Sequence, residues 1–381
     1  MGRGRHRQRR GPGGRVALVV AVLALAAAVA GFGGTRWPGQ LSGGSSGDGS
    51  SDGGRGSGAP VTVASRPPGP GPSGAPLGGA LATPVPLPAG GSEKVLFGMG
   101  TEADGAITEK LVTQAPVRML TSWYNGPGDL SWMSGWRTGT VGKAYHQGYA
   151  LHLIVYNDGA EVALDTKYGP ACGRAYPLAG RFAGDMTTLA RTFAGAKAGP
   201  PLYVTLFTEF QTYPCQDNAW SADAATTNYY RAMIDQYRSA MEIFHRHAPN
   251  AKVSLGWGGW QALYDDPGRG GGRTLFDRFA DVLRESDFQS FQAMDSVSNT
   301  MTIRTMVREL RAYGPVMLAH YQNDSGNYGT DVRQVLDPTF LREMTSDGLF
   351  AISFMDDKRM LADAATFAFV RDAVRRHGRD P

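Results

Sequence analysis

One carboxylate follows directly after an apolar run near the middle of the chain. The run YVTLFTEF contains Glu209, which is flanked by Phe207 and Phe210. A carboxyl group in apolar surroundings loses hydration, and this raises its pKa toward the range that a general acid needs. The alternative is a structural acid paired with a loop arginine, because a buried carboxylate is costly without a partner. We interpret Glu209 as the best candidate for a catalytic residue.

Polar and aromatic residues also follow the other apolar runs of the chain. Asp295, Asp324 and Asp356 are carboxylates that could act as the second catalytic group, with Asp295 preferred and Asp356 next. Aromatic, amide and imidazole side chains at such places suit the binding of sugar rings and hydroxyl groups. The candidates for substrate binding are Trp123, Tyr124, Asn157, Trp257, Trp260, His320 and Gln322. At any single position, a packing tryptophan or an acid that caps a helix is an equally good interpretation.

The elements that must position these residues are short β-rich runs that alternate with amphipathic, helix-like stretches. This alternation predicts parallel strands covered by helices on both sides. Eight such units over residues 93–381 predict a closed (β/α)8 TIM barrel, in which the carboxyl ends of all strands meet at one mouth. An open doubly wound sheet is the alternative, but no glycine-rich phosphate motif follows the first strand. The runs begin at Val95, Val117, Tyr149, Pro201, Lys252, Ser290, Pro315 and Leu349.

The first 92 residues have a composition that does not suit a packed core. Residues 1–32 combine a cluster of arginines with an apolar run, which predicts a signal peptide or a signal anchor. The Ala28-Val29-Ala30 pattern favours cleavage, whereas the length of the run would also allow a single membrane span. Residues 33–92 are rich in Gly, Ser and Pro and predict a disordered linker. We therefore expect a chain that is secreted or tethered to the outer face of the cytoplasmic membrane.

Charge and cysteine content narrow the range of partners. The whole chain has 38 basic and 34 acidic residues, and residues 1–92 hold 9 Arg and 2 Asp of them. Residues 93–381 therefore carry 29 basic and 32 acidic residues. This slightly acidic domain argues against a nucleic-acid partner.

Cys172 and Cys215 predict one disulfide in an exported chain. Histidines at metal-ligand spacing are lacking, so we expect no metal and no cofactor, although His320 with Asp295 or Asp356 is a remote possibility for a barrel metalloenzyme. We further expect a monomer.

The order of strands, with Glu209 ending the fourth and an aromatic-rich fifth, resembles the clan A glycoside hydrolases, especially the β-mannanase-like family 26 enzymes. This resemblance covers roughly residues 94–375 as a pattern. It implies that Thr208-Glu209 supplies the acid/base and that a second glutamate should end the seventh strand as the nucleophile. The chain instead reads PVMLAHYQNDSG there, with His320 in the place of that glutamate. The retaining mechanism that the resemblance implies therefore lacks its second carboxyl group.

Two functions remain open from the sequence. The first is a polysaccharide hydrolase that uses Glu209 as general acid and another carboxylate as base or nucleophile. The second is a barrel that binds a cell-wall glycan or exopolysaccharide without cutting it. In either case we predict that Cys172 and Cys215 join the loops after the third and fourth strands beside Glu209. We also predict that Trp123, Trp257 and Trp260 line an open groove.

Overall fold

The structure, a computed structural model, describes residues 93–381 apart from residues 158, 295–297 and 324–326. The predicted leader and linker, together with Asp295 and Asp324, lie outside the described residues. Within the described part of the chain, no helix is long and apolar enough to cross a membrane.

Eight parallel strands close into a barrel, as the sequence pattern predicts. Each strand coincides with one of the eight predicted apolar runs, and the first strand pairs with the last to complete the circle through the register Leu96↔Ala351. Nearly every strand residue is buried because the inner face packs on itself and helices cover the outer face. In barrel order the strands are β1 (Leu96–Met99), β2 (Met119–Tyr124), β3 (Ala150–Val155), β6 (Leu202–Leu206), β7 (Ala251–Gly258), β10 (Gln289–Ala293), β11 (Val316–Tyr321) and β12 (Leu349–Phe354).

Helices connect the strands and form the outer layer. The longest, α5 (Ala224–His247), begins where Asp223 accepts a hydrogen bond from the Thr226 backbone N–H at 2.7 Å. The others are α1 (Ala103–Ala106), α2 (Lys110–Gln114), α3 (Thr140–His146), α4 (Phe182–Phe193), α6 (Thr274–Arg278), α7 (Ala280–Glu285), α8 (Asn299–Leu310), α9 (Tyr328–Val335), α10 (Pro338–Ser346), α11 (Lys358–Leu361) and α12 (Ala364–His377).

The barrel interior changes from apolar to polar toward the mouth. An apolar cluster that includes Met119, Tyr203 and Met317 fills the end where the strands begin. Above it, the hydroxyl groups of Thr121 and Ser353 lie 2.7 Å apart, and His152 Nε2 lies 2.9 Å from the Thr205 hydroxyl oxygen. Burial lowers the pKa of His152 to about 3, so its imidazole is neutral. This hydrogen-bonded layer supports the residues at the mouth.

A small sheet that the sequence analysis did not predict is inserted after β3. Strands β4 (Glu161–Thr166) and β5 (Gly169–Arg174) form an antiparallel hairpin. The chain after β6 pairs with β5, because the Cys215 backbone N–H donates to the Cys172 carbonyl at 3.2 Å. The predicted disulfide between Cys172 and Cys215 is present here, with a Cα–Cα distance of 5.4 Å. A second short hairpin pairs β8 (Asp265–Asp266) with β9 (Gly271–Gly272).

Candidate active site

The segment that carries Glu209 has an unusual backbone. Just beyond β6, Phe207 and Glu209 have φ angles of 55° and 58°, in the left-handed region that residues other than glycine rarely adopt. Between them, the Thr208 backbone N–H donates to the Val155 carbonyl at 3.1 Å. The Phe207 ring stacks on Phe182 with their centroids 5.3 Å apart, which helps to hold this conformation. Strained backbone of this kind concentrates at functional sites.

Glu209 is half-buried, and its carboxyl group titrates near neutral pH. Burial raises its pKa to about 7, against the lowering effects of the Arg174 charge and a hydrogen bond from Gln292. Gln292 lies on β10, and its Nε2 donates to Oε1 of Glu209. A carboxyl group with this pKa remains protonated in a substantial fraction of molecules at neutral pH. It can therefore act as a proton donor.

A group of buried polar atoms lies beside Glu209 at the upper end of the barrel. His320 on β11 is 1% exposed, and neither ring nitrogen has a hydrogen-bond partner among the described residues. Burial lowers its pKa to about 3, so the imidazole is neutral. Thr208 Oγ1 and Gln292 Oε1 likewise lack partners in the described part, and these side chains line one small space with Thr205 and Gly256. Unpaired buried polar atoms of this kind are rare in folded proteins.

The structure corrects the prediction that Trp123 and Trp257 line an open groove. Trp257 is fully buried and packs against Phe276 at 4.3 Å and Phe210 at 4.6 Å between ring centroids. Trp123 is 2% exposed, and its ring packs edge to face against the His320 ring with the centroids 4.9 Å apart. Both lie on strands whose two faces are covered, so a tryptophan there is enclosed by the barrel contents or by the helical layer. The groove prediction is wrong for these two residues.

Trp260 is the predicted tryptophan that keeps part of its surface exposed. Its Nε1 donates to Asn218 Oδ1 at 3.0 Å, which ties the turn after β7 to the loop after β6. Leu263 and Tyr264 follow in the same turn and are each 39% exposed. This turn therefore offers exposed apolar surface close to the loop that follows Glu209.

The other predicted binding residues make contacts within the protein, through the backbone in two of the three cases. The hydroxyl groups of Tyr124 and Tyr176 lie 2.5 Å apart. The Asn157 backbone N–H donates to the Tyr213 hydroxyl at 3.1 Å. Gln322 is buried, and its backbone N–H donates to the Ala293 carbonyl at 3.1 Å.

The structure groups Asp356 with residues other than Glu209. Its Oδ1 accepts the Lys358 backbone N–H at 3.0 Å, and its Oδ2 lies 3.4 Å from Lys358 Nζ. Burial, together with the charges of Asp357 and Asp356, raises the pKa of Glu109 to about 8. Asp356, at the turn before α11, thus helps to raise the pKa of Glu109. Asp295, the preferred second carboxylate, lies outside the described residues.

Three residues of the site were missed by the sequence analysis. Gln292 holds the Glu209 carboxyl group, and Arg174 at the end of β5 acts on it through its charge. Asp217, in the loop after β6, is exposed, and its pKa is raised to about 6 by partial burial and by Glu161. A signal in the sequence could have indicated Arg174 and Asp217. Each lies two positions after a cysteine of the disulfide.

No group of three or more His, Cys, Asp or Glu side chains that could hold a metal ion occurs in the part of the chain that the structure describes.

Glycoside hydrolases of families 5, 10, 26 and 53 are among the solved structures to which the chain is similar. A β-galactosidase from Bacillus circulans sp. alkalophilus is 10% identical, with a TM-score of 0.50 over 75% of this chain and 56% of that chain. A psychrophilic family 10 endo-beta-1,4-xylanase is 10% identical, with a TM-score of 0.47 over 74% and 96%. GH26A from Muricauda sp. MAR_2010_75 is 12% identical, with a TM-score of 0.42 over 75% and 89%.

Likeness at these identities shows the fold alone. No protein-family model matches the chain, and no curated protein matches it either. The function must therefore be argued from the site.

Proposed function

We propose that this chain is a glycoside hydrolase that cuts a polysaccharide outside the cytoplasmic membrane, with Glu209 as its general acid. The observation that carries this proposal is the protonatable carboxyl group of Glu209, held in a strained turn at the end of the fourth barrel strand. Catalytic groups of barrel enzymes lie at the carboxyl ends of the strands. The predicted leader supports the extracytoplasmic location.

The proposed chemistry begins with proton transfer from Glu209. The protonated carboxyl group gives its proton to the glycosidic oxygen as the bond to the anomeric carbon breaks. The hydrogen bond from Gln292 holds one oxygen of the carboxyl group in place. After the transfer, the Arg174 charge stabilises the carboxylate that remains.

The second half of the reaction needs another carboxylate, and Asp295 is our first choice. It follows β10, the strand that also carries Gln292. Asp356 is the second choice, weakened by its engagement with Lys358. In the family 26 pattern a glutamate would stand where this chain has His320, and an imidazole cannot form the glycosyl ester of a retaining enzyme. We therefore propose that a water molecule attacks directly and that the anomeric carbon inverts.

The experiment uses the full-length chain on a panel of polysaccharides, with release of reducing ends as the measurement. Glu209→Gln keeps the size of the side chain and removes its transferable proton, so turnover should fall by about 10²- to 10⁴-fold. The control is Glu242→Gln, which changes an exposed glutamate paired with Arg246 on α5. Undiminished activity in Glu209→Gln would remove the site assignment.

The stereochemical part of the proposal has its own measurement. Proton NMR of the first product should show the anomer opposite to that of the cleaved bond. Retention would refute the inverting mechanism. His320→Ala should reduce binding or turnover less than Glu209→Gln, because the neutral imidazole takes no part in proton transfer in this scheme.

The second candidate function is a barrel that binds a glycan without cutting it. It is favoured by His320 in the place of the expected nucleophile and by the engagement of Asp356 with Lys358. Pull-down of the chain on insoluble polysaccharides separates the two functions. Retention without release of reducing ends indicates the binding protein, and release indicates the enzyme.

A further inference from the structure

We propose that Gln292 is a positioning residue that holds the neutral Glu209 carboxyl group with its proton on Oε2, so that Oε2 is the atom from which the proton leaves. The inference deepens the proposed function, since it rests on Glu209 being the general acid. The proposed function by itself does not say which of the two carboxyl oxygens carries the proton.

The assignment follows from the direction of one hydrogen bond. Nε2 of Gln292 donates to Oε1 of Glu209. An amide nitrogen donates hydrogen bonds but does not accept them. In a neutral carboxyl group one oxygen carries the proton and donates, whereas the carbonyl oxygen is the better acceptor. Oε1 is therefore the carbonyl oxygen of the neutral acid, and the proton lies on Oε2.

The amide nitrogen is the end of Gln292 that suits Glu209 both before and after proton transfer. The amide oxygen only accepts hydrogen bonds, and so do both oxygens of an ionised carboxylate, so these atoms would repel each other. The nitrogen can donate to the neutral acid and to the carboxylate alike. Its hydrogen bond becomes stronger as the accepting oxygen gains charge. Gln292 thus favours release of the proton without having to turn its side chain.

The strand pairing places Gln292 near the carboxyl end of β10. Gln292 is in register with Gly258 of β7 and with His320 of β11. The register with β11 is irregular here, because Phe291 pairs with Leu318 and the next partner along β11 is His320. Such irregularities re-aim side chains and are frequent next to active sites. Gln292 is 4% exposed, so its amide group is enclosed by protein.

Gly258 ties both partners of the hydrogen bond to the same strand end. It is the strand neighbour of Gln292, and it also binds Gln211, which follows Glu209 by two residues. The Gly258 backbone N–H donates to Gln211 Oε1 at 3.2 Å, and Gln211 Nε2 donates to the Gly258 carbonyl at 3.3 Å. Close packing continues at Gly259, where a Cβ atom would collide with the Gln292 carbonyl oxygen. The segments that carry Glu209 and Gln292 are therefore held against each other.

The test is a titration of Glu209 in the full-length protein, followed by carbon NMR of labelled glutamate and assigned by comparison with Glu209→Gln. Gln292→Met keeps the length of the side chain and removes the donor. The pKa of Glu209 should then rise by about one pH unit, because the carboxylate loses a charge-assisted hydrogen bond. If the Gln292 amide instead accepted the carboxyl proton, its removal would lower this pKa. A fall, or no change, in folded Gln292→Met would overturn the inference.

The matched control is Gln289→Met, which makes the same change on the same strand. Gln289 is fully buried, and its Nε2 donates to the Leu283 carbonyl at 2.8 Å. This variant should lose stability in thermal unfolding but leave the pKa of Glu209 at its native value. An equal rise of this pKa in both variants would show a general effect of disturbing the barrel, and the inference would fail.

Infrared spectroscopy locates the proton in the native chain, without any change at Gln292. Spectra of the native protein and of Glu209→Gln in acid solution differ by the C=O stretching band of the neutral Glu209 carboxyl group. A carbonyl oxygen that accepts a hydrogen bond absorbs at lower wavenumber than one that does not. The band should therefore lie in the hydrogen-bonded range and move to higher wavenumber in Gln292→Met. A native band in the range of an unbonded carbonyl would refute the assignment, even where Gln292→Met does not fold.

Activity separates this inference from the proposed function. If the chain hydrolyses a polysaccharide, the alkaline limb of kcat/KM against pH should shift upward in Gln292→Met, together with the titrated pKa. Gln289→Met should keep the native pH profile. If the pKa and the C=O band change as expected and no polysaccharide on the panel is cut, Gln292 still holds the proton on Oε2 and the proposed hydrolase fails.

Discussion

At the scale of single residues, Glu209 is in conflict with the stability of its own fold. Its carboxyl group is half-buried, its backbone is left-handed, and its pKa is raised to about 7 by burial. The left-handed backbone is strained at every pH. Burial disfavours the folded state when the carboxyl group is ionised, because a charge without full hydration is costly. Features of this kind persist where activity requires them.

This conflict predicts a pH-dependent gain in stability for Glu209→Gln. The pKa of Glu209 is higher in the folded chain, at about 7, than its ordinary value of 4.5. Protonation therefore stabilises the folded state below pH 4.5, and this contribution is lost as the pH rises through 7. Glu209→Gln should be more stable than the native chain at pH 8 by about 1–3 kcal/mol, and the gap should close near pH 4. Chemical unfolding at both pH values measures the difference, and a gap that does not vary with pH contradicts the prediction.

The sequence predicted the apolar surroundings of Glu209 but not the residues that lie near it, for a physical reason. The two flanking phenylalanines reported the apolar surroundings, which is a local property. Gln292 contacts Glu209 from a distant strand, and Arg174 lies on an inserted hairpin. No local pattern of the sequence encodes such an arrangement. The face toward which Trp123 and Trp257 point was likewise not fixed by their place near the strand ends.

At the scale of elements, the barrel was predictable and the hairpin was not. Buried parallel strands appear in the sequence as apolar runs, which is why all eight were found. Strand β4 is largely exposed, with Val162 at 42%, so it carries no such run. Only the two cysteines indicated that the loops after the third and fourth barrel strands are joined.

The packing of the hairpin depends on Gly173. A Cβ atom at this position would lie 2.5 Å from the Tyr229 ring and 2.7 Å from the Tyr213 carbonyl oxygen. Gly173→Ala should therefore destabilise the fold by about 1–3 kcal/mol. Gly184→Ala on α4 is the control, because nothing lies within 4 Å of its Cβ position and alanine favours the helix by about 0.5–1 kcal/mol. Thermal unfolding should move down for the first variant and slightly up for the second; equal shifts would show that Gly173 is not sterically required.

At the scale of the whole molecule, the predicted export of the chain bears on the formation of its disulfide. Residues 1–92 hold 9 Arg against 2 Asp, and the remainder is slightly acidic. We predict that this basic cluster, followed by an apolar run, directs the chain across the membrane with the arginines inside. The predicted export would also place Cys172 and Cys215 where a disulfide persists, whereas the cytosol would keep them reduced.

The last prediction joins these steps in one experiment. Expressed in a bacterial host, the full-length chain should be recovered outside the cytoplasm or in the membrane fraction, and thiol titration of the denatured, unreduced protein should find no free cysteine. Removal of residues 1–32 should leave the chain in the cytoplasm with two free thiols, because reductants there prevent the disulfide. Mass spectrometry of the N-terminus separates cleavage after Ala30 from retention as an anchor. Full-length chain found in the cytoplasm would refute the export prediction, and exported chain with two free thiols would refute the link between export and the hairpin.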